Sequence, residues 1–223
     1  MLINNLPYAQ YFFNPQTTAV IVVDVQHDFT EAKNGALAVL GADNAYLQTV
    51  IDATKLLGEA GYFIVATQDY HPSQHISFAS THKMVPFQTL LIQDTLQTVW
   101  PDHCVQMSAG SEILIPKEHL HYIQQKGMNP EVDSYSGFLD EVHTHTGLHD
   151  VLSSKGIQTL IVYGLATDYC VKATAIDGVK LGYQVYVINN LSRGVAEESS
   201  ASAKKEFQDK GVILVESLAD LNF

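Results

Sequence analysis

The chain has 223 residues, with 12 Lys and Arg against 24 Asp and Glu, and its formal net charge is −12 at pH 7. This balance repels phosphate backbones and anionic membrane surfaces, so it excludes nucleic acid and membrane as expected partners. Because 46% of the residues are hydrophobic, the chain can bury one sizeable core. We therefore expect a single domain over residues 1–223.

The N-terminal stretch and the number of cysteines indicate the expected cellular compartment. The N-terminal stretch MLINNLPYAQYFFNP has no basic segment and its apolar run is interrupted, so it fits neither a signal peptide nor a membrane span. The two cysteines, Cys104 and Cys170, are too few for the disulfide framework of many secreted chains. We expect two free thiols in a cytoplasmic protein.

In chain order, β-rich runs alternate with segments of helical spacing. The runs cover residues 19–25, 62–67, 122–125, 159–163, 184–188 and 212–215, and the helical patterns cover residues 42–60, 145–155, 169–181 and 195–210. Near-continuous Val and Ile runs separated by helices are typical of buried parallel strands. The pattern predicts a doubly wound α/β fold, with a mostly parallel six-stranded sheet and helices on both faces. Residues 69–117 form one long irregular region, a kind of loop that is often functional.

Chemically capable side chains follow four of the predicted strands. Asp24 closes the first run, Asp69 follows the second, Lys126 closes the third, and Cys170 comes shortly after the fourth. Open parallel sheets bind ligands at the carboxyl ends of their strands, so we expect these side chains to converge. Each alone has a structural explanation as a turn residue, a solvated lysine or a buried thiol. Together they favour catalysis, with a thiolate at Cys170 promoted by a helix N-terminus and Lys126.

Five segments carry a resemblance to a known family. They are VIVVDVQHDF, ATQDYHPSQHISF, WPDHCVQ, KGMNPEVDSYSGF and GLATDYCVKATAIDG. Together they resemble the nicotinamidases within the isochorismatase-like cysteine hydrolases, in family order from about residue 19 to residue 190. The resemblance implies hydrolysis of nicotinamide to nicotinate and ammonia through a cysteine thioester, as a step of NAD salvage.

The resemblance also implies roles for individual residues. The catalytic aspartate, lysine and cysteine fall on Asp24, Lys126 and Cys170. A non-proline cis peptide falls at Leu165–Ala166, and the backbone N–H groups of Ala166 and Cys170 form the expected oxyanion hole.

A metal site is predicted in the long irregular region. Asp69 and His71 alternate by two, so both can reach one ion from an extended loop, and His103 comes from the far end of the same region. The resemblance assigns these three as ligands of one divalent ion. Nitrogen and oxygen donors with open positions suit zinc, which we place first, and also iron or manganese. We expect His75 to lie beside the ligands and not on the metal.

Aromatic residues indicate a substrate pocket. Phe29, Trp100 and Tyr135 match family positions that sandwich a pyridine ring, since planar rings stack well on such side chains. Gln26 and Tyr169 are further expected contacts to nicotinamide or an analogue. The alternative for Phe29 and Trp100 is a place in the core.

Other candidates are interpreted as structural. His145 and His149 would share a helix face near His143 in HTHTGLHD, but no matching carboxylate or third ligand is evident. Cys104 is interpreted as a packing residue.

Two other functions stay open at this point. One is a related hydrolase of the same superfamily that acts on another carboxamide or carbamoyl compound. The other is a binding or scaffold protein that keeps the fold without the chemistry, against which the complete set of Asp24, Lys126 and Cys170 argues. The branch that cleaves isochorismate lacks the cysteine. By resemblance, a homo-oligomer is also expected.

Overall fold

The computed structural model describes residues 13–92 and 95–221. Most of the N-terminal stretch considered above for a leader, residues 1–12, therefore lies outside the described residues. In the described part of the chain, no helix is both long and apolar enough to cross a membrane.

A six-stranded sheet forms the centre of the fold, as predicted. Its strands are β1 (Thr18–Val23), β2 (Phe63–Asp69), β5 (Tyr122–Lys126), β6 (Thr159–Leu165), β7 (Gln184–Arg193) and β8 (Ile213–Val215). Neighbouring strands pair in the order β5-β2-β1-β6-β7-β8, and every pair is parallel. The order reverses between β1 and β6, the position where such sheets open a crevice for ligands.

The sheet is covered by helices on both faces, since alternate residues of each strand point to opposite sides. Val20 and Val22 of β1 pack in the cluster that holds the buried face of α1. Ala19 and Ile21 pack in the opposite cluster, together with buried residues of α2, α3 and α4. The helices are α1 (Asn44–Glu59), α2 (Leu148–Ser154), α3 (Lys172–Lys180) and α4 (Glu197–Lys210).

All four helices begin two or three residues later than the hydrophobic spacing predicts, and α2 and α3 show the larger difference. Gly147, at φ 97°, is the N-cap of α2, so the preceding residues cannot belong to that helix. Residues Thr167–Val171 form a π-helical turn ahead of α3.

The irregular region also contains a hairpin that the sequence pattern did not predict. Strands β3 (Thr89–Ile92) and β4 (Thr95–Thr98) pair antiparallel. The apolar residues of Thr89–Ile92 are consecutive and do not alternate with polar ones, so the pattern does not identify a half-buried strand.

Candidate active site

The strand ends bring Asp24, Lys126 and Cys170 together below the surface. The Lys126 Nζ lies 3.0 Å from an Asp24 carboxylate oxygen and 3.5 Å from the Cys170 Sγ. The Cys170 sulfur also lies within 4.8 Å of one carboxylate oxygen of Asp24 and one carboxylate oxygen of Asp69. A thiol, a carboxylate and an ammonium group therefore share one buried cluster, an arrangement suited to nucleophilic catalysis.

Close contact between β1 and β6 brings the two halves of this cluster together. Gly164 pairs with Val23, and a Cβ at Gly164 would come 2.1 Å from the Val23 carbonyl oxygen. Gly164 also has φ 131°, which favours glycine. Asp24 follows Val23 with φ 46°, so the strand ends there and its carboxylate turns into the cluster.

Asp24 is held by a neighbouring threonine. The Thr67 hydroxyl donates to an Asp24 carboxylate oxygen at 2.6 Å, and the Asp24 backbone N–H donates to the same hydroxyl at 3.1 Å. Burial raises the pKa of Asp24, while Lys126 opposes that shift. A carboxylate with a raised pKa accepts a proton more readily than a solvated one.

Lys126 is fully buried among acceptors. Its ammonium donates to Asp69 and to the Ser134 carbonyl oxygen at 3.1 Å, in addition to the contacts with Asp24 and Cys170. Burial lowers the pKa of Lys126, but the two carboxylates outweigh burial and hold that pKa well above its ordinary value. Lys126 is therefore a permanent cation here and not a proton carrier.

The protonation state of Cys170 differs from the sequence-based expectation. Burial raises the pKa of its thiol well above the ordinary value; Lys126 lowers that pKa, but Asp24 and Asp69 oppose Lys126. The prediction that the environment favours a thiolate is therefore wrong for this arrangement. The thiol keeps its proton until a base removes it, and Asp24 is adjacent.

Asp69, His71 and His103 form a candidate metal centre. All three are buried, and one ligand atom from each lies within 4.8 Å of the other two. An Asp69 carboxylate oxygen lies 3.5 Å from the Nε2 of His71 and 4.0 Å from that of His103. A carboxylate and two imidazoles suit a divalent metal ion.

Hydrogen bonds fix both imidazoles in the orientation a metal needs. The Nδ1 of His71 is 2.9 Å from the Gly127 carbonyl oxygen, and the Nδ1 of His103 is 2.7 Å from the Pro101 carbonyl oxygen. Because a carbonyl only accepts, each Nδ1 donates, and in a neutral ring each Nε2 presents its lone pair. Burial and neighbouring His71 lower the pKa of His103 to about 4, which keeps its ring neutral.

His75 lies beside this centre, and its nitrogens are otherwise engaged. Its ring centroid is 4.2 Å from that of His71. Its Nδ1 contacts the Ser77 hydroxyl at 2.7 Å and its Nε2 contacts the Val132 carbonyl oxygen at 3.1 Å. This geometry agrees with the expected position outside the ligand set.

A cavity opens onto both groups. The walls include four of the predicted aromatic residues, the three candidate metal ligands and the nucleophile. They are Phe29, Leu37, Val39, Asp69, His71, Trp100, His103, Asp133, Ser134, Tyr135, Leu165, Ala166, Tyr169, Cys170 and Val195.

Three of the aromatic residues form one connected wall. The indole N–H of Trp100 donates to the Tyr135 hydroxyl at 3.2 Å. The Tyr169 ring lies 4.9 Å from that of Trp100 and 5.7 Å from that of Tyr135. The Phe29 ring lies 5.4 Å from the His103 ring.

Gln26 is not placed to contact a substrate, contrary to the expectation. It is absent from the cavity walls. Its Nε2 donates to the carbonyl oxygens of Asp69 at 2.8 Å and Ser111 at 3.0 Å, and its Oε1 accepts from the Asp69 backbone N–H at 2.8 Å. The side-chain amide thus holds the backbone of Asp69 through two hydrogen bonds and the backbone of Ser111 through a third.

The remaining sequence-based expectations concern the strand-to-helix turn and the second cysteine. The Leu165–Ala166 peptide is cis, and Ala166 lies with Cys170 on the cavity wall. Cys104 is a buried free thiol in the core. His149 bonds to the Tyr183 hydroxyl at 2.9 Å, and no candidate metal group in the described part of the chain includes it.

Sequence reasoning missed several residues that shape the site. Thr67 was detectable as a polar residue inside a buried apolar strand, and Ser134 stands within a quoted motif. Leu37, Val39 and Val195 gave no signal, since apolar residues in cavity walls look like core residues.

Comparison with known proteins places this geometry in context. A family model, the isochorismatase domain, matches residues 18–218. The nicotinamidase of Escherichia coli strain K12 is 43% identical over 209 residues, or 91% of this chain and 95% of that protein.

Two solved structures are similar over most of the chain. PnC1 from L. infantum in complex with nicotinate has a TM-score of 0.80 at 32% identity and covers 93% of this chain and 96% of that one. The pyrazinamidase of Pyrococcus horikoshii in complex with zinc has a TM-score of 0.73 at 33% identity, with coverage of 89% and 98%.

Proposed function

The chain belongs to the isochorismatase family, and from this premise we propose that it hydrolyses nicotinamide to nicotinate and ammonia in NAD salvage. The observation that carries the proposal is the buried cluster of Cys170, Asp24 and Lys126, of which Cys170 lines the cavity. The name of the E. coli relative and the nicotinate bound to the L. infantum protein support the choice of substrate.

In the first half of the reaction, Asp24 takes the Cys170 thiol proton as the sulfur attacks the carboxamide carbon. A carbon–sulfur bond forms, and the carbonyl oxygen becomes an oxyanion. We assign its stabilisation to the backbone N–H groups of Ala166 and Cys170. The oxyanion collapses, the carbon–nitrogen bond breaks, and Asp24 returns its proton to the leaving nitrogen, which departs as ammonia.

In the second half, water hydrolyses the thioester. Asp24 accepts a proton from the attacking water, the carbon–sulfur bond breaks, Asp24 returns that proton to the sulfur, and the product acid ionises to nicotinate. Lys126 keeps its charge throughout, which favours both the ionised carboxylate and the transient thiolate. A raised thiol pKa suits this scheme because proton transfer and attack occur together at the bound substrate.

Asp69, His71 and His103 fit a divalent metal ion, and we propose zinc, as bound by the P. horikoshii protein. When bound, the ion would supply an open coordination position for a neutral nitrogen donor such as the pyridine nitrogen. The aromatic wall of Trp100 and Tyr135, with Phe29, would hold the ring so that the carboxamide faces Cys170.

The deciding experiment measures ammonia release from nicotinamide by the purified, zinc-loaded protein. Pyrazinamide, which keeps a ring nitrogen at the equivalent place, should also react, whereas benzamide should react far more slowly. Release from another carboxamide or carbamoyl compound but not from nicotinamide would overturn the proposed substrate and leave the cysteine chemistry in place.

A further inference from the structure

A further buried carboxylate, Asp168, lies two residues before the nucleophile. Asp168 is 3% exposed and belongs to the π-helical turn Thr167–Val171 that carries Cys170. It lines no part of the cavity. Within the described residues, no cation forms an ion pair with Asp168, so hydrogen bonds must offset the cost of burying its charge.

Those hydrogen bonds come from the start of α4. One Asp168 oxygen accepts the Val195 backbone N–H at 3.0 Å. The other accepts the Ala196 backbone N–H at 3.2 Å and the Ser199 hydroxyl at 2.5 Å. All three donors lie within five residues, so one side chain anchors the whole entry to the helix.

The start of α4 has no cap of its own. Its N-cap residue is Ala196, whose side chain cannot accept a hydrogen bond. The N-terminal end of a helix is also the positive end of its dipole, where a carboxylate is favoured. Asp168 therefore anchors the segment that leads into α4 from a different element.

The same contact joins two walls of the cavity. Val195 and Cys170 both line it, Val195 from the start of α4 and Cys170 from the π-helical turn. A Cβ at Gly194 would come 3.2 Å from an Asp168 oxygen and 1.8 Å from the Ser200 hydroxyl oxygen. The chain before Val195 is therefore fitted closely around Asp168.

We propose that Asp168 is a positioning residue for the nucleophile: by tying the π-helical turn to the segment that leads into α4, it fixes the turn that aims the sulfur and backbone N–H of Cys170. This inference rests on the proposed function for its catalytic readout only. An enzyme with a displaced Cys170 would bind substrate normally, but the sulfur would attack from the wrong position. We therefore expect kcat to fall and KM to change little.

The test compares wild type with Asp168→Asn, which keeps the shape and turns an amide NH₂ toward backbone donors. Ser199→Ala is a milder variant that removes one of the three donors. Asp220→Asn is the control, because Asp220 also accepts a backbone N–H in a helical cap, from Ser217 at 2.9 Å, but contributes no cavity wall. All four proteins are assayed at a temperature where circular dichroism shows each to be folded.

Two quantities are measured: kcat and KM for nicotinamide, and the rate at which iodoacetamide alkylates Cys170, located by peptide mass spectrometry. In Asp168→Asn we expect kcat to fall about 10- to 100-fold with little change in KM, and alkylation to slow as well. Ser199→Ala should show a smaller loss in the same direction, and Asp220→Asn none.

Wild-type kcat and alkylation rate in folded Asp168→Asn would overturn the inference, as would an equal loss in Asp220→Asn. If wild type released no ammonia from nicotinamide, the proposed function would fail separately. The alkylation rates would then still decide the role of Asp168.

Discussion

The ammonium of Lys126 lies 3.0 Å from a carboxylate oxygen of Asp24, and both side chains are fully buried. Such a pair is costly to desolvate and is retained only where its geometry is good. The raised pKa of Lys126 means that this cation does not give up its proton. We therefore propose that Asp24 is the member of the pair that transfers protons in the reaction.

Asp24→Asn should lower kcat roughly 10²-fold or more, because it keeps the shape but removes the base. KM should change little, since Asp24 is not part of the cavity wall. Steady-state kinetics on nicotinamide measure both values. Asp52→Asn, a change at an exposed carboxylate of α1, is the control and should behave as wild type. A kcat within tenfold of wild type in Asp24→Asn would rule out Asp24 as the base.

Cys170→Ala should abolish turnover while the protein still folds and binds nicotinamide, because the covalent step has no substitute nucleophile. Activity and calorimetric binding are measured side by side. The matched variant is Cys104→Ala, at a buried free thiol in the core, which should stay active. Residual turnover of Cys170→Ala within tenfold of wild type would contradict covalent catalysis.

The sequence predicted the architecture well because β1, β2, β6 and β7 contain runs of buried residues rich in Val and Ile. The convergence of Asp24, Lys126 and Cys170 followed from the rule that parallel strands present their carboxyl ends at one edge. The hydrogen-bond partners of Gln26 could not be predicted, since a side-chain amide can bond to a substrate or to a neighbouring backbone equally well. The protonation of Cys170 depends on how burial and two carboxylates compare with one lysine, which only three-dimensional distances decide.

Tyr135→Phe should raise KM for nicotinamide several-fold and leave kcat nearly unchanged. It removes the hydroxyl that accepts the Trp100 indole N–H at 3.2 Å, a bond worth about 1 kcal/mol, and so loosens the aromatic wall. Tyr183→Phe is the control. The Tyr183 hydroxyl lies 2.9 Å from the Nδ1 of His149 and away from the cavity, so its loss should not alter KM. An equal rise in both variants would indicate a general loss of stability instead.

Chelation should inactivate the enzyme, and added zinc should restore it. His71→Ala should no longer bind one metal ion per chain, whereas His75→Asn should still do so. The ring nitrogens of His75 contact Ser77 and Val132 and are not directed at the metal centre. Elemental analysis after gel filtration measures the metal directly, without relying on activity. Loss of metal from both variants would show that His75 belongs to the ligand set.

Gly127→Ala should weaken metal binding although Gly127 is not a ligand. A Cβ at Gly127 would come 2.3 Å from Cε1 and 2.5 Å from Nδ1 of His71, so the ring must move and its bond to the Gly127 carbonyl oxygen is disturbed. Loss of such a supporting contact typically costs 10- to 100-fold in metal affinity.

The control for Gly127→Ala is Gly156→Ala. Both glycines have positive φ, 65° and 71°, but nothing lies within 4 Å of a Cβ at Gly156. Each alanine pays about 1 to 2 kcal/mol for the left-handed conformation, so thermal unfolding should shift in both proteins. Only Gly127→Ala should also lose zinc affinity, as measured by competition with a chelating dye. If the two variants bound zinc equally well, the Gly127 carbonyl would not be holding His71 in its metal-binding orientation.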